Sequence, residues 1–498
     1  MALGLVSAVS LAVYLVYRMF FSLESRIPGD LSARFTILMY RSRAARGYQA
    51  DMAEEYYDKY GDIYAVGPGV IVLSNPADCR RVLGSHAFRK NKKVYSFFAQ
   101  VGETMFSTSE PEVSNMRRRQ FGPMFTHGYL AQMESTVLEC GIGEIKKKWN
   151  RQVDQGDGKA VINFSQDFSL ATFDVISALG FGQQFHALAN NDSKIIQWVD
   201  NTIKLAIRTQ LLPFARRYPM NLLTAALTKS HQAFIDFNNQ IIDGRRQMVQ
   251  AGKGHPKDIL QALIDAEDPD SKMKLSADEI TAENVSFLIA GTDTTSLTMT
   301  WFVHFMMLYP ECYQRATAEV RAAFSPDHLV TYAESRASLP YLEACIYEVL
   351  RIRAVSGTTL PRIVPAGGAR FQGHFLPAGT VVCASVAGLN HHTSVWANPK
   401  RFTPERFIDS PDLKQNVMTF STGVRICPGR NLAYMEMFTI LANLLKDYDL
   451  ELPEGSLFGP DRLDDNGNPI PMPRRHRLTA GPWHPDRDCN IVVTKHSS

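Results

Sequence analysis

The chain has 498 residues, 45% of them hydrophobic, enough for one very large domain with a well-buried core or for several ordinary ones. Its 53 basic and 50 acidic residues leave a formal net charge of only +3, which argues against the single-sign field of a nucleic-acid binder. Seven cysteines, at positions 79, 140, 312, 345, 383, 427 and 489, form no CxxC pair, so zinc and dithiol redox sites are disfavoured and a reducing compartment is expected.

Residues 3–21 read LGLVSAVSLAVYLVYRMFF, with Arg18 as the only charge. At 1.5 Å per helical residue this run roughly matches a hydrocarbon core of about 30 Å, with Arg18 placed to snorkel outward. The rival reading, a cleaved signal peptide, lacks a basic start and a clear small-residue cleavage site. Arg18, Arg26, Arg34, Arg41, Arg43 and Arg46 crowd the downstream side and should stay cytosolic. Residues 1–24 are therefore expected to form a membrane anchor. No linker, low-complexity tract or repeat divides residues 25–498, which are expected to form one domain.

Within that domain, DMAEEYYDKY (51–60) reads as a helix and IYAVGPGVIVL (63–73) as a hairpin turning at Gly67, Pro68 and Gly69. From about 110 to 350 the periodicity is helical, as in MESTVLECGIGEIKKKW (133–149) and AENVSFLIAGTDTTSLTMTWFVHFMM (282–307). Short strands return in FQGHFLPAGTVVCASV (371–386), a helix follows over about 430–446, and CNIVVTKH (489–496) reads as a final strand. The fold class is mainly α with small β-sheets. The apolar stretch 286–308 has Asp293 in its middle, which makes it a poor membrane span and a good buried core helix.

Residues 420–429, FSTGVRICPG, place an aromatic, a glycine, an arginine, a cysteine and a second glycine at two- and three-residue steps. Such a loop suits the presentation of one thiolate to a metal. Gly423 permits a turn with positive φ, Gly429 lets the following helix start close to a flat ligand, and backbone N–H groups favour the charged sulfur. The other six cysteines read as small buried hydrophobes.

This pattern resembles the haem-binding signature of the cytochrome P450 family, the haem-thiolate monooxygenases, and every element of it matches. The resemblance implies haem b as cofactor, with Cys427 as the axial iron ligand, Phe420 near its sulfur, and Arg425 pairing with a haem propionate. It also implies the family's single triangular catalytic domain. Thiolate ligation pushes electron density onto iron and favours O–O cleavage, the chemical reason for cysteine.

Upstream, AGTDTTS (290–296) puts poor helix formers and a carboxylate inside the buried helix, a local violation of the kind that marks function. A threonine hydroxyl bonding one turn back can distort the ladder. Alone, the segment also reads as a helix cap with ordinary packing. By the resemblance, Thr294 and Asp293 relay protons at the iron, while Ala290 and Gly291 leave room there. Glu348 and Arg351 share a helix face in YEVLR, and with Arg406 of FTPERF they match the family's structural network behind the haem. Arg362, in a strand expected to open at Pro361, resembles the second propionate partner. The third lies in MRRRQF, where Arg118 fits best and a one-residue shift to Arg117 or Arg119 stays open. The family often has Trp or His four residues before that arginine; here Ser114 stands there. His391 and His392 lack a third ligand at suitable spacing and are expected to bind no metal.

The resemblance places the cavity walls in the 95–108 loop, the 205–240 region, residues 355–360 and the segment near 479–483, with Phe97, Phe98, Met105, Phe106, Leu211, Leu212, Phe214, Val355 and Trp483 among them. Apolar walls suit a lipophilic substrate. Steroid or other terpenoid, fatty acid and xenobiotic are all open, and the texture of the sequence suggests a fungal member with a steroid-like or xenobiotic substrate. No flavin or Rossmann segment is evident, so electrons must come from another protein. The resemblance implies a membrane-bound NADPH-cytochrome P450 reductase, with cytochrome b5 as an optional second donor, O2 as co-substrate, and a single-pass position in the endoplasmic reticulum facing the cytosol. Two other readings are a haem-thiolate isomerase or dehydratase that does not use O2, and a non-catalytic membrane haem-binding protein. Thr294 and Asp293 argue against both.

Overall fold

In the computed structural model, residues 2–99, 101–211 and 217–496 are described, excluding the side chains of residues 2–4, 210 and 211. Helices dominate: α1 (Ala2–Phe20), α2 (Gln49–Tyr60), α3 (Pro111–Phe121), α4 (Phe164–Phe181), α5 (Lys194–Leu211), α6 (Ala277–Leu308), α7 (Pro340–Ile352) and α8 (Arg430–Asp447) concern the site. The main sheet has four strands, β1 (Ile63–Gly67), β2 (Val70–Leu73), β3 (Thr359–Ile363) and β4 (Val381–Ser385), in the order β1-β2-β4-β3. The predicted hairpin pairs Ile63 with Leu73, and β4 runs parallel to β2 with Val72 opposite Cys383. Strand β3 does not open at Pro361. The proline sits in its middle, opposite Cys383, on an edge strand where a missing N–H is tolerated.

The central element is α6, a helix of 32 residues started by a capping box. The Ser276 hydroxyl accepts from Glu279 N, and Ser276 N donates to Glu279 Oε2 at 2.8 Å. Helix α4, buried along almost its whole length, packs beside α6. The close approach has a local cause: a Cβ on Gly291 would fall 2.8 Å from Ile176 Cγ1. The hydroxyl of Thr172 crosses the same contact to the carbonyl of Thr292 at 3.0 Å.

Three tryptophans, Trp149, Trp301 and Trp396, are fully buried in the core, and each indole N–H finds an acceptor: Asp167, the Ala480 carbonyl and the Leu389 carbonyl respectively. The helix read over 133–149 is interrupted by a wider π turn at Glu139–Gly143. Gly141 lies in that turn, where a Cβ would come 3.2 Å from Ile440 of α8, so glycine there permits the two segments to approach. Periodicity registers the helix and not the extra residue in its turn.

The expected anchor segment is the helix α1, whose described residues Leu5, Val6, Val9, Leu11 and Val13 are all more than half exposed. Among the described residues no helix is long and apolar enough to cross a membrane. The expected span begins at Leu3, whose side chain lies outside the described residues. Arg18 does not reach outward as expected. It turns back onto Glu24, 3.0 Å away, and onto the Arg34 carbonyl, because a nearby buried carboxylate offers it a partner.

Candidate active site

A cavity of about 390 Å³ lies between the middle of α6, the 95–106 loop, β3, the 418–429 loop and the start of α8. The loop before α8 delivers Cys427 to its wall. Gly423 has φ +67°, and a Cβ there would strike Gly84 and Leu83 at 2.6 Å. The turn closes with Cys427 N donating to the Phe420 carbonyl at 2.9 Å. Phe420 packs on Tyr434 with ring centroids 5.2 Å apart. A Cβ on Gly429 would meet nothing within 4 Å, and Gly429 lines the cavity. Six cysteines are buried, as expected, while Cys427 alone has exposed surface, presented to the cavity.

Because that surface opens into a cavity enclosed by protein, desolvation still raises the Cys427 thiol pKa, although the backbone N–H groups of Gly429 and Arg430 and the charges of Arg118 and Arg430 pull the other way. The expected help from backbone dipoles is present, but burial outweighs it. A bound cation reverses that balance, because a coordinating thiol gives up its proton.

Four cationic side chains, Lys90, Arg118, Arg362 and Arg425, also line the cavity. None makes an ion pair with a carboxylate among the described residues. Arg118 donates to the Ile426 carbonyl at 2.7 Å, and its buried Nε has no hydrogen-bond partner among the described residues. Arg362 donates to Tyr95 Oη at 3.0 Å. Arg425 donates to the Met105 carbonyl at 3.3 Å, and burial together with Arg362 and Arg118 pushes its pKa down to about 10. Lys90 Nζ sits over the rings of Tyr95 (4.2 Å) and Phe106 (4.4 Å), with its pKa driven well below the usual range by burial and then by the three arginines. Gathering like charges this way is unfavourable without an anion. A ligand with two carboxylates beside a thiolate-binding metal matches both the charges and the orphaned Nε, so these residues fit a haem.

Of the three consecutive arginines, only Arg118 reaches the cavity. Arg117 turns to Glu279 and Glu283, and Arg119 to Asp268 and Asp270. Ser114 is fully buried, its hydroxyl has no hydrogen-bond partner among the described residues, and it does not line the cavity. Lys90 and Tyr95 were missed by sequence reasoning. Lys90 stands in FRKNKK, which reads as an ordinary solvated basic run, and reaches Arg362 through a backbone bridge that composition does not reveal.

On the facing wall, α6 stays helical through its threonines. Thr294 Oγ1 donates to the Ala290 carbonyl at 2.7 Å, and Thr292, Ser296, Thr298 and Thr300 each bond one turn back in the same way. Ala290, Gly291 and Thr294 line the cavity. The packing that demands a glycine at 291 is its contact with Ile176, on the side of α4. Asp293 is half-buried, and desolvation, with Asp200 adding to it, lifts its carboxyl to about 6. Phe97, Phe98, Met105, Phe106 and Val355 line the cavity as expected. Trp483 does not. It packs on Tyr48 at a separate surface cleft, and the 478–479 segment reaches the cavity instead. The side chain of Leu211, and Leu212 and Phe214 altogether, lie outside the described residues.

Behind this wall, Glu348 and Arg351 are both inaccessible to solvent and form a two-pronged pair with each contact at 2.8 Å. Arg406 Nε joins Glu348 at 3.2 Å, Thr403 N donates to it at 2.9 Å, and Arg351 also caps the carbonyls of Asn390 and Pro399. His392 bonds Asp62 at 2.9 Å and His391 the Ala387 carbonyl at 3.0 Å. Among the described residues no group of three or more potential metal ligands occurs.

The family model Cytochrome P450 matches residues 30–464. Cytochrome P450 monooxygenase helB2 of Aspergillus fumigatus is 40% identical over 99% of both chains, and cytochrome P450 monooxygenase ABA2 of Pyricularia oryzae is 30% identical over 91% of this chain and 89% of that one. Among solved structures, the crystal structure of the cytochrome P450DA heme domain superposes with a TM-score of 0.77 at 19% identity, covering 91% of this chain and 94% of that one. A family model spanning most of the chain and full-length similarity to fungal relatives lead to one conclusion: the chain belongs to the cytochrome P450 family and is a cytochrome P450 monooxygenase.

Proposed function

We propose that the chain inserts one oxygen atom from O2 into a small lipophilic substrate, using electrons from a separate NADPH-dependent flavoprotein reductase. One observation carries this reading: Cys427, Thr294 and four basic side chains without a carboxylate partner among the described residues line the same apolar cavity. Cys427 Sγ would hold the iron of haem b, and Arg118, Arg362, Arg425 and Lys90 would neutralise its two carboxylates. The bound haem supplies the reductive activation of dioxygen, favoured by a thiolate ligand. Thr294 Oγ1 holds a proton on the cavity face of α6. The Asp293 carboxyl, next along α6 but not part of the cavity lining, has its pKa lifted to about 6 and so takes up and releases a proton in mildly acid solution. Phe97, Phe98, Met105 and Phe106 exclude water and favour an apolar substrate.

The exposed apolar face of α1 and the arginines that follow it support attachment to the endoplasmic reticulum with residues 25–498 on the cytosolic side. The test is turnover of a lipophilic panel by the purified chain with a P450 reductase. Product formation should require both NADPH and O2, and Thr294→Ala should lower product per NADPH by roughly tenfold. Turnover without O2 would favour the isomerase or dehydratase reading.

A further inference from the structure

Glu283 lies on α6, two turns before Ala290, and is 1% exposed. Its Oε1 accepts the backbone N–H of Met105 at 2.7 Å, while Oε2 is buried without a hydrogen-bond partner among the described residues. Met105 belongs to a tight, self-bonded turn, in which Thr104 N donates to Ser107 Oγ at 2.8 Å and Ser107 N to Thr104 Oγ1 at 3.1 Å. The other side of that turn is held by the cationic cradle, since Arg425 donates to the Met105 carbonyl and Lys90 to the Phe106 carbonyl. Gly102, just before it, rests on Ala282, where a Cβ would come within 3.2 Å. The turn carries the aromatic roof of the cavity, with Phe98 and Phe106 edge to face at 5.0 Å and Phe97 and Phe98 at 4.7 Å.

We propose that Glu283 is a positioning residue that latches the 101–108 turn, with Phe98 packed on its Phe106, to α6, so that this roof holds a substrate's apolar body at a fixed height over the Cys427 wall. The latch is the only side-chain hydrogen bond from α6 to this turn among the described residues. Arg117 steadies the carboxylate from α3, with Nε 3.8 Å from Oε1, and is itself paired with Glu279. Because Oε2 has no partner, Glu283→Gln keeps the acceptor that matters, whereas Glu283→Ala removes it. This assignment rests on the haem-thiolate reading, so its test uses probes that separate the two.

Hydrogen–deuterium exchange over residues 96–109 should rise about tenfold in Glu283→Ala and stay within about twofold in Glu283→Gln. Visible titration of the haem-loaded protein with 4-phenylimidazole, which carries an apolar ring beyond its iron-binding group, should weaken about fivefold in Glu283→Ala. Plain imidazole, which lacks that ring, should bind as in the wild type. Unchanged exchange in a folded Glu283→Ala protein, equal weakening of both imidazoles, or a Glu283→Gln variant as loose as Glu283→Ala would overturn the latch. Wild-type protein that shows no imidazole band shift would instead overturn the haem reading, and the exchange rates alone would then decide whether Glu283 latches the roof.

Discussion

Two of the buried charge clusters of this molecule are built on opposite plans. In the Glu348–Arg351–Arg406 cluster the carboxylate meets two guanidiniums and a backbone N–H, and the spare arginine donors cap carbonyls. In the cradle of Lys90, Arg118, Arg362 and Arg425, four basic side chains share one cavity wall, and among the described residues none is paired with a carboxylate and one guanidinium nitrogen has no hydrogen-bond partner. A closed network does its work within the protein and depends on all its members. An open one is complete only with a ligand, so buried charge left unpaired points to binding and buried charge fully paired points to structure.

The largest expected effect tests the closed side. Glu348→Ala leaves two guanidiniums buried without their counter-charge and should cost about 3–5 kcal/mol, read as a lowered denaturant midpoint or loss of soluble protein. A tolerated substitution there would break the contrast. On the open side the sign should depend on the ligand. Arg425→Ala removes one of four like charges, so the haem-free protein should keep its stability or gain up to about 1 kcal/mol. The loaded variant should release haem to an acceptor protein at least about tenfold faster. If stability and retention fall together, the cradle is structural after all.

The smallest effect concerns the α6 wall. The Asp293 carboxyl is raised from 3.8 to about 6 in the fold, so between those pH values the folded chain keeps a proton that the unfolded chain has lost. The stability linked to that proton is complete below 3.8 and is lost as pH rises through about 6. Asp293→Asn should therefore be more stable than the wild type above that pH, by about 1 kcal/mol after allowing for partial exposure, with the difference vanishing in acid. Urea midpoints across the pH range check this. A variant less stable than the wild type at neutral pH would contradict it.

The same contrast explains what was legible in the sequence. The Cys427 loop and the Glu348–Arg351 pair are short, local spacings, and each could be placed on a turn or a helix face before any contact was known. Arg118 was narrowed to three neighbours, and only the helix phase of α3 turns Arg117 to Glu279 and Arg119 to Asp268. Lys90 and Glu283 were illegible because their roles come from contacts across the chain: a backbone bridge to Arg362 for one, a bond to the Met105 N–H for the other. Trp483 was misplaced for a related reason. The resemblance set its segment on a cavity wall, but Tyr48, far away in sequence, offered its indole a ring at 5.2 Å.

The most direct test of the central claim is the absorption spectrum of the reduced, CO-bound protein, recorded for the wild type and for Cys427→Ala. The red-shifted thiolate band should appear in the wild type and be absent from the variant. A wild-type spectrum without that band, or a variant that retains it, would contradict the assignment of Cys427 as the iron ligand.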